Sequence, residues 1–346
     1  MTETLRDFQP GQDEDAVAAL WTRCFGETLG GQTLDWLFRT GSAGACPRSV
    51  AEVDGQVVAH AGVTALRFRV ANEEMSGGYS VGAMTDPRHR GRGLYARLGA
   101  YLYERLENED FAFVAGFSNA KSHRLMVGPL ERTAIRPFPW CVRILRPIGA
   151  LRGLLANDPS PCTPPTVGTE KTGELTLSAR ELGDPETDRL WERVAPTFRV
   201  GAVRDCRFNI SRYESRPEAG YRALGVERNG QLTAWAVHRT LRVRGQAATF
   251  VVDFLVGPGE SQSGRVLLQG LASAARNHGI TLLSALLPGE GEARETLRAA
   301  GFRQIPEALH PQLIRFSVRG LGRFRKAPLL VDPQAWQLSW ADTDVV

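Results

Sequence analysis

The 346-residue sequence has no C-x-x-C pair: Cys24, Cys46, Cys141, Cys162 and Cys206 are odd in number and widely scattered. That scatter argues against a disulfide framework or a structural zinc site, so no metal is expected, and it fits a reducing, cytoplasmic setting. No apolar run is long enough to cross a bilayer, so no membrane association is expected. The opening MTETLRDFQPGQDEDAV is acidic and lacks an apolar h-region, so no secretory leader is expected. Net charge is scarce too. Lys and Arg total 42 against 38 Asp and Glu, and +4 is too little to indicate a nucleic-acid surface. Two phosphate-binding fingerprints are also missing, the G-x-G-x-x-G of dinucleotide folds and the G-x-x-x-x-G-K-[ST] of the P-loop.

What is present is a length that predicts two domains and a composition (42% hydrophobic, 23% charged) able to bury full cores. SVAEVDGQVVAHAGVTALRFRV (Ser49–Val70) carries two β-rich runs joined at Asp54-Gly55, the signature of a type I′ hairpin turn. YRALGVERNGQLTAWAVHRTLRVRG (Tyr221–Gly245) repeats it around Asn229-Gly230. LRFR and LRVR begin at Leu66 and Leu241, each 12 residues past the first turn residue. Matches in register at several places indicate a duplicated unit. The flanks agree, so each half reads β-α-β-β-β-α-β-α-β, an α/β pattern with a mixed sheet. The expected boundaries are a first domain over 1–150, a Pro-, Ser- and Thr-rich linker over 151–174, a second domain over 175–325, and a tail over 326–346 whose apolar residues predict docking on the body.

The chemistry concentrates in TDPRHRGRGLYARL (Thr85–Leu98). A predicted strand leads through a glycine-bearing turn into a helix whose apolar face is Leu94, Leu98, Tyr101, Leu102 and Leu106. Helix N-termini bind anions because their first N–H groups lack intrahelical partners and the macrodipole is positive there. Gly91 and Gly93 let an anion approach the backbone, and Arg88, Arg90 and Arg92 add charge. The plainer reading is a solvated basic turn. The second copy weighs against it: at the matching place, VGPGESQSG (Val256–Gly264) has no arginine, so the fold itself does not require the charge.

The R-x-x-G-x-G pattern at Arg88, Gly91 and Gly93, with the order of elements, resembles the acetyl-CoA-binding motif of the GNAT superfamily of N-acetyltransferases. The resemblance implies two GNAT-like domains, each a mixed, mostly antiparallel twisted sheet flanked by helices, the second degenerate. It implies acetyl-CoA (coenzyme A) as co-substrate. Arg88, His89, Arg90, Gly91, Arg92, Gly93 and Leu94 would hold its pyrophosphate, and Ala83, Met84 and Thr85 its pantetheine arm. The Met84 backbone N–H would polarise the thioester carbonyl. Asn119 and Ser122 would meet the arm from the other side, although Asn119 also reads as a helix cap.

The tyrosine that many members use to protonate the leaving thiolate is replaced by Met126, which donates no proton. Candidates for proton handling are His60, Tyr79, His123 and the tail carboxylates Asp342 and Asp344; His60 also reads as a satisfied core histidine and Tyr79 as sheet packing. The leading expectation is direct N-acetyl transfer to an amine on a small molecule or peptide. The alternative is a coenzyme-binding pseudoenzyme acting as sensor or scaffold. The sequence names neither the acceptor nor the oligomeric state.

Overall fold

The computed structural model describes residues 2–26, 28, 36–38, 40–135, 140–147, 162–243, 245–286, 291–306, 308, 310 and 315–343. Leaving out the shortest turns, the chain begins β1 (Glu3–Asp7), α1 (Glu14–Phe25), β2 (Arg48–Val53), β3 (Gln56–Val70), β4 (Glu73–Thr85), α2 (Leu94–Asn108), β5 (Phe113–Ser118), α3 (Ala120–Val127), β6 (Thr133–Ala134) and β7 (Trp140–Ile144). It continues β8 (Glu170–Thr172), β9 (Leu175–Arg180), α4 (Glu186–Val194), β10 (Arg222–Arg228), β11 (Gln231–Val243), β12 (Gln246–Val256), α5 (Ser261–Asn277), β13 (Leu282–Leu286), α6 (Glu292–Ala299), β14 (Arg303–Gln304) and β15 (Arg315–Gly320).

These elements form two compact units, Met1–Pro137 with Leu313–Asp332, and Phe138–Gln312 with Pro333–Val346. Both are mixed α/β. The first sheet runs β1-β2-β3-β4-β5-β15-β6 and the second β8-β9-β10-β11-β12-β13-β7-β14. Each is antiparallel except at one step, β4 with β5 and β12 with β13. Strands β7 and β15 are thus exchanged. The strand that follows β6 in sequence joins the second sheet, and the last strand of the chain returns to the first. A cut at 150 therefore does not separate the units, because alternating strands such as WCVRI and RFSVRG carry no mark of which sheet they will join. The expected tail also divides, Asp332 closing the first unit and Pro333 beginning the last segment of the second. Residues 148–150 of the expected first domain and 151–161 of the expected linker lie outside the described residues.

The duplicated hairpins form as the sequence predicts. Asp54 and Gly55 have φ of 50° and 79°, Asn229 and Gly230 have 51° and 77°, and such paired positive values make a type I′ turn. In the first unit α2 packs Leu94, Leu98, Leu102 and Leu106 against Val58, Ala61 and Val63 on one sheet face. On the other face, α1 sets Val17 and Leu20 against Val50, Val57 and Met84. One position in the predicted stripe differs: Tyr103 is buried and Tyr101 only half-buried, as a helical rotation of 100° per residue allows.

Candidate functional site

The site lies where the first sheet opens. β4 and β5 pair only at Gly78 with Val114 and Tyr79 with Ala115, after which β4 runs on to Thr85 and β5 to Ser118. A bulge on β4 sharpens the divergence. β3 advances from His60 to Gly62 while its partner moves from Met84 to Val81, so β4 carries one extra residue beside Gly82, whose φ is +59°. Ladder phase then decides which amides face the opening. The Asp86 N–H bonds Val58 O at 2.8 Å, and antiparallel bonding alternates, so Met84 exchanges its backbone bonds with His60. The amides of Ala83 and Thr85 face the other way. The amide that faces the opening here is therefore that of exposed Ala83 rather than the expected one of Met84, whose side chain is also buried under α1.

His60 holds the bulge in place. Arg48 Nε–H donates to His60 Nε2 at 3.1 Å, which leaves Nδ1 as the protonated nitrogen, donating to Gly82 O at 2.7 Å. The ring is wholly buried, with Phe38 edge-on at 5.0 Å, and burial assisted by the Arg48 charge pushes its pKa down to about 3. A neutral imidazole with both nitrogens engaged cannot shuttle a proton, so His60 positions backbone. Arg48 itself is stacked on Phe8, its guanidinium carbon 3.4 Å from the ring centroid, and burial lowers its pKa to about 10. With Glu14, Asp15, Phe8 and Phe38 it lines a cavity of about 660 Å³.

The other candidate acids and bases fall elsewhere. Tyr79 is 5% exposed and packs against Phe68, Phe117 and Phe316, a packing role. His123 Nδ1 lies 3.1 Å from Ser118 Oγ, and burial lowers its pKa. Asp342 belongs to the second unit. Its Oδ2 accepts from Arg204 Nη2 at 2.7 Å and from Ser339 N at 2.8 Å, inside a buried group in which Arg204 also pairs with Asp253 at 3.0 Å. That ion pair gives Asp342 a structural role within the second unit; Asp344 lies outside the described residues.

The basic turn has the backbone an anion needs. Gly91 and Gly93 have φ of +78° and +68°, and Gly93 caps α2, so the first α2 amides are presented without Cβ atoms in the way. Its charges are partly spent internally, which the sequence did not announce. Asp86, 1% exposed, is bracketed by Arg88 at 3.0 Å and Arg23 at 2.8 Å and also accepts the Arg88 N–H. The Arg88 hydrogen bonds, with help from Arg23, hold its carboxyl well below the usual range. Arg90 Nε donates to Thr85 O at 3.0 Å. Arg88 and Arg90 thus brace the turn; His89 is half-buried, Arg92 exposed and Leu94 buried. In the second unit α5 already starts at Ser261, so Gln262, Ser263 and Gly264 are helical and the cradle is replaced by helix.

Asn119 caps α3, its Oδ1 accepting from Ser122 N and Ser122 Oγ, both at 3.1 Å. Met126 is buried in the α2-side core. Among the described residues no group of three or more His, Cys, Asp or Glu is placed to hold a metal ion, and no helix is long and apolar enough to cross a membrane.

A mixed sheet that opens at a parallel step, with a bulge on the strand feeding a glycine-bearing turn and helix, is the architecture that the comparisons with known proteins return. Residues 6–123 of the 346 match the family model of an acetyltransferase (GNAT) domain. No curated protein matches the sequence. Solved structures extend the likeness over both units. An Enterococcus faecalis protein of unknown function, described as a "Probable N-Acyltransferase", superposes with a TM-score of 0.63 at 11% identity, covering 93% of this chain and 73% of its own. A GCN5-related N-acetyltransferase from Anabaena variabilis gives 0.60 at 9% identity, covering 92% and 72%. The N-myristoyltransferase of Saccharomyces cerevisiae with bound myristoyl-CoA gives 0.57 at 12% identity, covering 91% and 82%. At these identities the likeness is one of fold.

Proposed function

We propose that the first unit is an N-acyltransferase that moves an acyl group, in the simplest case acetyl, from coenzyme A to an amine. The observation that carries this is the convergence of three features on one strand end: the opening between β4 and β5, the bulge at Gly82, and the turn with positive φ at Gly91 and Gly93. The turn amides and the N-terminus of α2 would hold the diphosphate, with exposed Arg92 beside them. Thr85 and Asn119 flank the path of the arm, and the Ala83 N–H is the donor aimed at the oxyanion that forms when nitrogen attacks the thioester carbon. A preorganised donor of that kind is worth roughly 10²–10³ in rate.

The amine nitrogen bonds to the acyl carbon, the carbon–sulfur bond breaks, and the nitrogen's proton passes to solvent or a carboxylate. The coenzyme departs as a thiolate, whose unperturbed pKa of ~8.5 makes a dedicated acid dispensable, consistent with Met126 in the place of a tyrosine. The cavity beside Arg48 suits an amine acceptor, since Glu14 and Asp15 offer carboxylates to an ammonium and only the His60 ring lies between Arg48 and the bulge. The experiment is thiol release from a set of acyl-CoAs across a panel of amines, with coenzyme binding measured by calorimetry. Release supports the proposal, binding without release for any pair supports a coenzyme-binding scaffold, and absence of binding overturns both.

A further inference from the structure

At the first unpaired step of the opening, beyond Tyr79 and Ala115, lies a buried cation. Arg132 is 3% exposed, its Nε donates to the Tyr103 hydroxyl at 2.8 Å, and its Nη2 donates to Ser80 Oγ. Both partners are neutral, and among the described residues no carboxylate pairs with it. Its Nη1 lies against the step where the two strands stop pairing: a Cβ placed on Gly116 would lie 3.2 Å from Nη1 and 3.5 Å from Ser80 Cβ. A buried guanidinium without a counter-charge is costly, so its presence requires a reason.

The second unit shows that the fold is not the reason. Strand registers place Val251 where Ser80 stands and Ala285 where Gly116 stands, and the residue before the short closing strand is Phe302 where the first unit has Arg132. Counting from the bonds that end the two helices, Phe111 N to Leu106 O and Ile280 N to Ala275 O, Tyr103 falls on Ala272. All four counterparts are buried in an apolar core, and Val251 and Ala285 are still paired in the ladder where Ser80 and Gly116 are not.

We infer that Arg132 determines acyl-donor specificity by binding a carboxylate at the far end of the acyl chain, so that the donor is the thioester of a short dicarboxylic acid. The assignment rests on the acyltransferase reading above. About three residues of strand, roughly 10 Å, separate Ser80 from Ala83. That is too far for an acetyl group held at Ala83 to touch the guanidinium. It suits a chain of about four or five carbons with a hydrogen bond at each end. A long hydrocarbon chain would instead have to bury against an unpaired charge.

The test compares succinyl-CoA, its uncharged length-match pentanoyl-CoA, and acetyl-CoA. Wild-type protein is expected to prefer succinyl-CoA over pentanoyl-CoA by about tenfold or more, in kcat/KM or, without an acceptor, in Kd. Arg132→Leu should lower the succinyl value by roughly 10–100-fold, the worth of a charge-assisted hydrogen bond, and leave acetyl-CoA within about twofold. Arg132→Lys should restore part of the preference and Ser80→Ala should weaken it. Equal handling of succinyl- and pentanoyl-CoA by the wild type overturns the assignment even if Arg132→Leu fails to fold. So does a variant that loses acetyl and succinyl transfer alike. If none of the three thioesters binds, the acyltransferase reading falls and takes this one with it.

Discussion

His60 gives the sharpest handle on the site because its protonation, its hydrogen bonds and the bulge are one arrangement. Its folded pKa of about 3 lies below the ordinary 6.5, so between these values the unfolded chain binds a proton that the folded one refuses. Stability from this group is therefore fully present above pH 6.5 and drains as pH falls toward 3. The slope is about 1.4 kcal/mol per pH unit, so lowering pH from 7 to 5 removes about 2 kcal/mol. His238, also wholly buried with a pKa of about 3, adds a similar loss from the second unit. His60→Gln retains an acceptor and a donor without a titrating ring. Urea unfolding at pH 7 and 5 should show this variant losing a large part of the wild-type pH dependence, and the His60→Gln/His238→Gln double variant most of it, with a remainder from His123, whose pKa burial also lowers. The His60 Cε1 proton resonance should not titrate between pH 7 and 4. A His60 midpoint near 6.5, or an unaltered stability slope in His60→Gln, would refute the account of the bulge.

Gly91→Val and Gly93→Val force a β-branched residue to positive φ at a cost of about 1–2 kcal/mol each, and calorimetry should show coenzyme affinity falling at least about tenfold. Ala83→Pro removes the N–H that faces the opening and is expected to lower kcat by roughly 10²–10³ with coenzyme Kd little changed; the same loss in a Met84 variant but not here would return the donor to Met84. Truncation after Leu338 deletes Ser339, Trp340 and Asp342 and strips Arg204 of one of its two carboxylates, so differential scanning calorimetry should show destabilisation of about 3–5 kcal/mol. An unshifted melting transition would contradict the role given to that ion pair.

What the sequence discloses is whatever depends on neighbours along the chain. The Asp-Gly and Asn-Gly turns, the helix after Gly93 and the cap at Asn119 are short-range matters, and all are found. The bulge is not short-range: it takes a register comparison of two strands to see that Met84 faces His60 and Ala83 does not. Asp86, between Arg23 and Arg88, reads in sequence as an ordinary turn residue, although its pairing across 63 positions neutralises part of the charge that made the turn conspicuous. Arg132, Tyr103 and Ser80 come from three elements, and no local pattern signals that they meet. A comparison of the two copies position by position would have flagged the loss of Arg132 to Phe302, once the closing strands were aligned.

The exchanged strands bear on how this protein is made. On the ribosome, β5 emerges about two hundred residues before β15, the strand that lies beside it. At about 5–20 residues per second, translation leaves that edge bare for roughly 10–40 s. An unpaired strand edge is a template for wrong partners, so the nascent first unit needs shielding during synthesis. A chain stopped anywhere before Arg315 has no route to a finished first sheet.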